Sequence, residues 1–217
     1  MSAHADPRPV PTPVPIPDYR QRRDNLFRAY SGKEQRVLTF ESELEYRTFV
    51  FYEGQPEISR LCDQPLKIDA RLNGKKLVYT FDLWLRWRDH YEEYLEVKPD
   101  DKLKPARDGT PKPAKWDAIE QWCMDRDIAC RFITDKELKA HATFIDNWIQ
   151  ALPFVQRAHQ DDDPTLIEQV LHYTQLRRPV TMHDIEMQLV DVEPGGLHAA
   201  IFLLIRRGTL TADMAWR

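Results

Sequence analysis

Three residues stand where they could do chemistry together. Asp82 lies in Thr80-Phe81-Asp82-Leu83-Trp84-Leu85, with apolar neighbours on both sides, and Glu96 and Lys98 lie in Leu95-Glu96-Val97-Lys98-Pro99. On a strand, residues i and i+2 face the same way, so Glu96 and Lys98 project together. A hairpin joining the two strands would bring Asp82 beside them. Two carboxylates make a hard oxygen site suited to Mg²⁺, which keeps several waters and sits near a phosphate. A neighbouring lysine orients or deprotonates an attacking water and offsets charge that develops on phosphorus. Glu45, from the preceding segment, is a further carboxylate. The residue types therefore point to metal-dependent phosphodiester hydrolysis. The pattern is loose, and the competing reading is a solvent-side Asp with an ordinary Glu–Lys pair on an edge strand. Two features weigh for chemistry. Asp82 interrupts an apolar, aromatic run, where an unpaired carboxylate is costly. Lys98 is followed at once by Pro99 and a polar loop, which leaves the site open.

The elements that must hold these side chains follow from periodicity and turn signals. Glu41 to Glu53 spaces Leu44, Phe49 and Phe51 among acids at helical intervals and predicts a helix. Strands are expected at Ile58–Cys62, Leu66–Leu72, Leu77–Trp87 and Tyr91–Val97, with Asn73-Gly74 as a hairpin turn and Arg88-Asp89-His90 as another. Lys102 to Lys112 reads as a polar loop. Ala114–Asp127 predicts an amphipathic helix, Ile128–Thr134 a strand, and Asp135 the N-cap of a helix from Lys136. That order makes a compact α/β sandwich. After Asp161-Asp162-Asp163-Pro164, helices are expected at Thr165–Gln175, Met182–Val190 and Leu197–Arg207, with Glu193–Gly196 a turn and Gly208–Asp213 one side of a wing. Residues 5–17 alternate Pro with other residues, so this arm reads as extended or disordered. The basic lead-in after it (Arg20, Arg22, Arg23, Arg28, Lys33, Arg36) contacts phosphate or is merely solvated. The expected division is a flexible arm at 1–24, a catalytic domain at 25–160 and a small C-terminal domain at 161–217.

A net charge of -4 argues against a general electrostatic nucleic-acid binder, but segregated charge or a bound metal leaves DNA open as a substrate. Cys62, Cys123 and Cys130 form no CxxC pair and read as reduced, packed thiols. The histidines show no HxH or HExxH spacing, which places them in surface or core roles. Trp84, Trp87, Trp116 and Trp122 read as core or sheet-cover residues, with DNA flanking by Trp116, Lys112 and Lys115 as the alternative. No apolar run reaches the ~20 residues of a membrane span, so the chain is expected to be soluble, cytoplasmic and without membrane contact.

Five strings add a resemblance. Ser42–Glu45 (SELE), Asp63–Leu66 (DQPL), Thr80–Leu85 (TFDLWL), Leu95–Pro99 (LEVKP) and Phe132–Leu138 (FITDKEL) resemble, in order and spacing, the TnsA family. These are endonuclease subunits of heteromeric bacterial cut-and-paste transposases. The likeness covers roughly residues 25–150. It implies a restriction-endonuclease-like (PD-(D/E)xK) α/β fold followed by a small winged-helix-like domain. It also implies double-stranded DNA at transposon ends as substrate, cut at the 5′ ends while a separate TnsB-like transposase subunit handles the 3′ ends. A TnsC-like AAA+ ATPase is the implied regulator, contacted through the C-terminal domain. The resemblance carries the helix carboxylate onto Glu45, the metal-binding Asp onto Asp82 and the catalytic Lys onto Lys98. The position two before that Lys is Gln in some members and Glu96 here, while Phe81 replaces the Pro common in the wider superfamily.

The expected catalytic set is thus Glu45, Asp82, Glu96 and Lys98, and the metal set Glu45, Asp82, Glu96 and Val97, for Mg²⁺ with Mn²⁺ able to substitute. Gln64 falls on a recurring Gln with a structural or substrate-orienting role. Lys102, Lys104, Arg107, Lys112 and Lys115 lie where a cleaved strand would pass. From Asp161 onward nine acids face five arginines. The last helix offers only His198, Arg206 and Arg207 as polar contacts, which favours protein docking over DNA reading. The alternatives are a stand-alone restriction or repair nuclease of the same fold, or an inactive assembly factor.

Overall fold

The computed structural model describes residues 9–15, 26–72, 75–103, 114–160, 163–176 and 179–214. Strands β1 (Phe27–Ser31) and β2 (Arg36–Phe40) pair as an antiparallel hairpin. The basic residues of this stretch are therefore part of a strand pair rather than a solvated lead-in, and the alternation of β2 buries Leu38 and Phe40. Helix α1 (Glu43–Glu53) begins at Ser42, whose extended backbone lets its hydroxyl accept from Glu45 N at 3.2 Å. Glu43 and Glu45 in its first turn suit the positive end of the helix. It ends at Gly54, where an added Cβ would stand 2.7 Å from the Phe144 ring and 2.9 Å from Trp148.

The central sheet has the order β3–β6–β7–β8, built from β3 (Ile58–Asp63), β6 (Leu83–Trp87), β7 (Glu92–Val97) and β8 (Cys130–Ile133). Its first two pairs are antiparallel and the last is parallel. A separate hairpin, β4 (Lys67–Leu72) with β5 (Lys75–Thr80), sets Leu72 opposite Lys75, the register of the expected two-residue connection. Asn73 and Gly74 themselves lie outside the described residues. The single strand expected at 77–87 is broken at Phe81 and Asp82. The reason is a change of partner: Phe81 N donates to Leu66 O, the last rung of the hairpin, and Asp82 N donates to Leu95 O, the first rung of the sheet (both 3.1 Å).

Short α2 (Asp100–Leu103) follows β7, and α3 (Ala114–Met124) covers one face of the β4–β5 hairpin. Thr134 rather than Asp135 caps α4 (Asp135–Lys139), accepting from Glu137 N at 3.3 Å. Helix α5 (Ala142–Gln160) is long and amphipathic. Two apolar clusters hold the layers. Ile68, Phe81, Trp116, Ile119 and Cys123 pack the hairpin against α3. Leu61, Leu83, Leu85, Leu95, Val97 and Ile133 from the sheet join Phe49, Val50, Ile145 and Trp148 from α1 and α5 on the other face.

That second cluster continues into the C-terminal helices α6 (Pro164–Leu176), α7 (Met182–Gln188) and α8 (Pro194–Arg206). The turn expected at 193–196 is instead the first turn of α8, with Glu193 accepting from Gly195 N and Gly196 N at 2.9 and 2.8 Å. Three helices appear where expected, but 208–213 form a turn and an irregular segment, and no strand occurs among the described residues after 163. Helix α8 is apolar all round and buried from Ala199 to Ile205. A helix of that kind belongs inside a protein, and here Phe202 packs on Trp148 and Phe154 of α5. It presents no free face to a DNA groove.

The β1–β2 hairpin is tied in by buried charge. Glu53 is fully buried and accepts from Ser31 Oγ (2.8 Å), Gly32 N (2.9 Å) and Lys33 N (3.2 Å). Lys33 Nζ donates to Gln55 O and Ile58 O at 2.6 and 2.7 Å. Only glycine fits at 32, where a Cβ would meet Val155 at 2.6 Å and the Arg206 guanidinium at 2.7 Å. No helix among the described residues is long and apolar enough to cross a membrane.

Candidate active site

Asp82 sits at the junction where the hairpin gives way to the sheet, held on both sides by its own peptide. Its carbonyl accepts from Gln64 N and its N–H is spent on Leu95, both at 3.1 Å. The side chain is thereby aimed along β7, where Oδ2 accepts from Val97 N at 2.8 Å. Glu96 lies on β7 with Leu95 and Val97 turned to the opposite face, which is the alternation expected of a strand. Lys98 continues that pairing by donating its backbone N–H to Ile133 O at 3.0 Å. The side chains of Glu96 and Lys98 therefore emerge together beside Asp82, as the i, i+2 spacing predicts.

The Lys98 ammonium occupies the centre of this group. Nζ is 2.5 Å from Glu96 Oε1, 3.0 Å from Val97 O and 3.5 Å from Asp82 Oδ2. It also lies 6.0 Å from the centre of the buried Trp116 ring. Burial works against its charge, but Asp82 and Glu96 outweigh that and hold its pKa above the ordinary lysine value. The carboxylates are driven the other way. Burial first, then the charge of Glu96, pushes Asp82 up to about 7. Glu96 is raised as well, chiefly by burial against the opposing pull of Lys98. Both Glu96 oxygens are buried, and neither receives a hydrogen bond of regular geometry. Two buried, under-solvated carboxylates and the Val97 carbonyl, which Lys98 alone is seen to approach at 3.0 Å, are an oxygen set that a second cation would complete.

Glu45 stands one step back. Ser42 Oγ donates to its Oε1 at 2.8 Å and Glu41 N to its Oε2 at 2.9 Å, so both oxygens serve the start of α1. Burial and then the charge of Asp82 push its pKa up to about 7, so it belongs to the same electrostatic site. Among the described residues no three Asp, Glu, His or Cys side chains converge closely enough to hold a metal by themselves. The structure thus gathers Asp82, Glu96, Val97 and Lys98, and leaves Glu45 outside the immediate oxygen cluster.

Gln64 has a structural place. It adopts a left-handed backbone (φ 43°), rare and costly for a residue with a side chain, and its amide pins Asp82. Its side-chain Nε2 donates to Glu41 Oε1 at 3.1 Å, and its carbonyl accepts from Val14 N at 2.9 Å. Residues 9–15 of the arm are accordingly extended along the end of β3, where Cys62 Sγ also meets Pro11 O at 3.3 Å. Lys102 is exposed on α2. Lys104, Arg107 and Lys112, and the side chain of Lys115, lie outside the described residues. Trp116 is core, stacked edge-on with Tyr79 and Phe132.

The fold adds one further residue to the site. Tyr79 of β5 directs its hydroxyl at Glu96, and its phenol pKa is raised by burial and then by the charges of Glu96 and Asp82. Its position three before Asp82, among other aromatics, carried no signal distinguishing it from a packing residue. Only the fold of the hairpin over α3 turns it to the site.

A mixed α/β sheet with two acids and a lysine at a strand break is the arrangement of a restriction-endonuclease-like nuclease. Residues 50–135 match the family described as TnsA-like endonuclease N terminal. The matched segment holds Gln64, Asp82, Glu96, Val97 and Lys98 and stops short of Glu45 and the C-terminal helices. The chain thus carries a TnsA-like endonuclease N-terminal domain over those residues. No curated protein matches it.

Proposed function

We propose that this protein is a Mg²⁺-dependent DNA endonuclease that cuts the 5′ ends of a transposon during cut-and-paste transposition. The observation that carries the reading is the buried pair Asp82 and Glu96, with the Glu96 oxygens lacking regular hydrogen bonds and Lys98 lodged between the two carboxylates. Asp82, Glu96 and the Val97 carbonyl would hold the metal, with Mn²⁺ able to substitute. Few protein ligands suit Mg²⁺, which keeps waters and shares a phosphate. When bound, the ion supplies charge neutralisation at the phosphate and a more acidic water. Lys98 presents an ammonium donor to a phosphate oxygen or an attacking water at the same place. Glu45, its pKa raised, adds a carboxylate that buffers the site from behind Asp82. Lys102, exposed on α2, and by their place in the sequence Lys104, Lys112 and Lys115, are the proposed contacts to the cleaved strand.

The separate transposase subunit and the AAA+ ATPase are the proposed partners, the latter meeting the C-terminal helices. Support for docking comes from Leu176, Met187 and Val190, which are 69%, 66% and 73% exposed on that acidic module. The buried state of α8 argues further against DNA reading there. The test is cleavage of a transposon-end duplex in the presence of both partners and Mg²⁺. Asp82→Ala and Lys98→Ala should each abolish 5′ cleavage while folding and partner binding persist. Unchanged 5′ cleavage by both variants overturns the reading, and efficient cleavage without partners replaces it with a stand-alone nuclease.

A further inference from the structure

The β4–β5 hairpin leaves the body of the protein at the active site. Its base is closed by the Phe81 N to Leu66 O bond, and the next residue is Asp82. Directly opposed residues in an antiparallel pair share a face. The register therefore puts Lys67, Asp69 and Arg71 on one face with Thr80, Val78 and Lys76, while Ile68 and Tyr79 turn towards α3. The inner face is core, packed through Ile68 on Trp116 and Ile119, so the hairpin is a fixed projection. The outer face is open: Lys67, Arg71 and Lys76 are exposed, and Val78 between them is 46% exposed. Lys75 beside the turn is exposed as well.

Charge is unevenly placed on this molecule. Residues 67–80 hold four cations and one acid in a chain of net charge -4, and that acid, Asp69, is already answered by Lys76 at 2.9 Å. The cations also run in line from the catalytic residues. Lys67 pairs with Thr80, two residues from Asp82, and Arg71 pairs with Lys76 four residues further out. Four residues of strand span roughly 13 Å, or about four base-pair rises of duplex DNA.

We propose that this outer face clamps the phosphodiester backbone of duplex DNA on one side of the cleaved phosphate. Lys67 lies nearest the cut, with Arg71 and Lys76 about four base pairs away. The inference rests on the nuclease reading and adds the surface that sets the substrate's direction. A rigid basic strip continuous with the reacting carboxylates fits a phosphate backbone better than an acidic protein, whose charges need not follow that line.

The test compares the unaltered full chain with a triple variant, Lys67→Ala, Arg71→Ala and Lys76→Ala, which strips the cations of the outer face. A control variant, Arg126→Ala, Lys136→Ala and Arg207→Ala, removes the same charge from other exposed positions. Binding to a duplex carrying the transposon end is followed by fluorescence anisotropy in chelator over a range of salt. Each lost phosphate contact lowers the slope of log K against log[salt] by about 0.9. The hairpin variant should therefore lose roughly 2 to 3 in slope and the control should stay near the unaltered chain. A hairpin variant indistinguishable from the control overturns the clamp, leaves the nuclease reading standing, and gives the face to an acidic protein surface or to solvent. Absence of any DNA binding by the unaltered chain also overturns the clamp. If Mg²⁺-dependent cleavage with the partners is missing too, the nuclease reading falls with it.

Discussion

Replacing Asp82 by Asn should stabilise the metal-free protein while destroying its activity. In the folded state Asp82 is largely enclosed, with 16% of its side chain exposed, and faces Glu96 with one ammonium between them. Burial and Glu96 raise its pKa from 3.8 to about 7. The sign follows from proton binding. Between pH 4 and 7 the folded chain holds a proton on Asp82 that the unfolded chain has released, so metal-free stability falls as pH rises through that window. Above pH 7 the full cost is present. A shift of about three units corresponds to roughly 4 kcal/mol, and the share of Lys98's charge that then passes to Glu96 brings the expected gain of Asp82→Asn to about 2–4 kcal/mol. For a chain of this size that is roughly 5–15 °C in melting temperature. The assay is thermal unfolding in chelator at pH 8, 5 and 4, repeated with Mg²⁺. The variant should melt higher at pH 8, lose more than half of that advantage at pH 5, and match the wild type near pH 4. Mg²⁺ should raise the melting temperature of the wild type and leave the variant unmoved. A variant that melts lower than wild type at pH 8, or one that still responds to Mg²⁺, refutes the reasoning.

Other perturbations test the surrounding structure. Tyr79→Phe keeps the ring contacts with Phe81 and Trp116 but removes the hydroxyl aimed at Glu96. A Mg²⁺ titration of cleavage should show apparent metal affinity weakened by about tenfold with the melting temperature of the metal-free protein nearly unchanged. Glu53→Ala strands Ser31 Oγ, Gly32 N, Lys33 N and the Lys33 ammonium around a buried hole. Urea unfolding should register a loss of about 3–5 kcal/mol. Deleting residues 194–217 uncovers Trp148, Phe154 and Val155, which pack on or beside α8. Size-exclusion chromatography should find the shortened chain aggregated, and a soluble, monomeric product would show that the C-terminal helices are separable.

The grouping of Glu96 and Lys98 was legible because it depends on local rules. The two-residue period of a strand is enough to put Glu96 and Lys98 on one face, and the carboxylate in TFDLWL stands out against its apolar neighbours whatever the fold. Five short strings in register carried the family, and three C-terminal helices followed from their apolar spacing. What depends on partners far along the chain was not legible. Asp82 looked like a mid-strand residue, but it is a corner, because Phe81 and Asp82 bond to different strands. Glu45 had the residue type of a metal ligand, yet its oxygens are taken by the cap of its own helix. The β1–β2 hairpin was hidden under its lysines and arginines, although its buried positions alternate. Helix α8 had the sequence position of a DNA-reading helix, and only packing against α5 showed that every apolar face of it is already used. The amino-acid sequence by itself determined which groups could react, since spacing along a strand is a property of the backbone. Tertiary structure decided which of them meet, how far each is dehydrated, and that a basic hairpin projects from Asp82, because proximity and burial are set by contacts between residues distant in the chain.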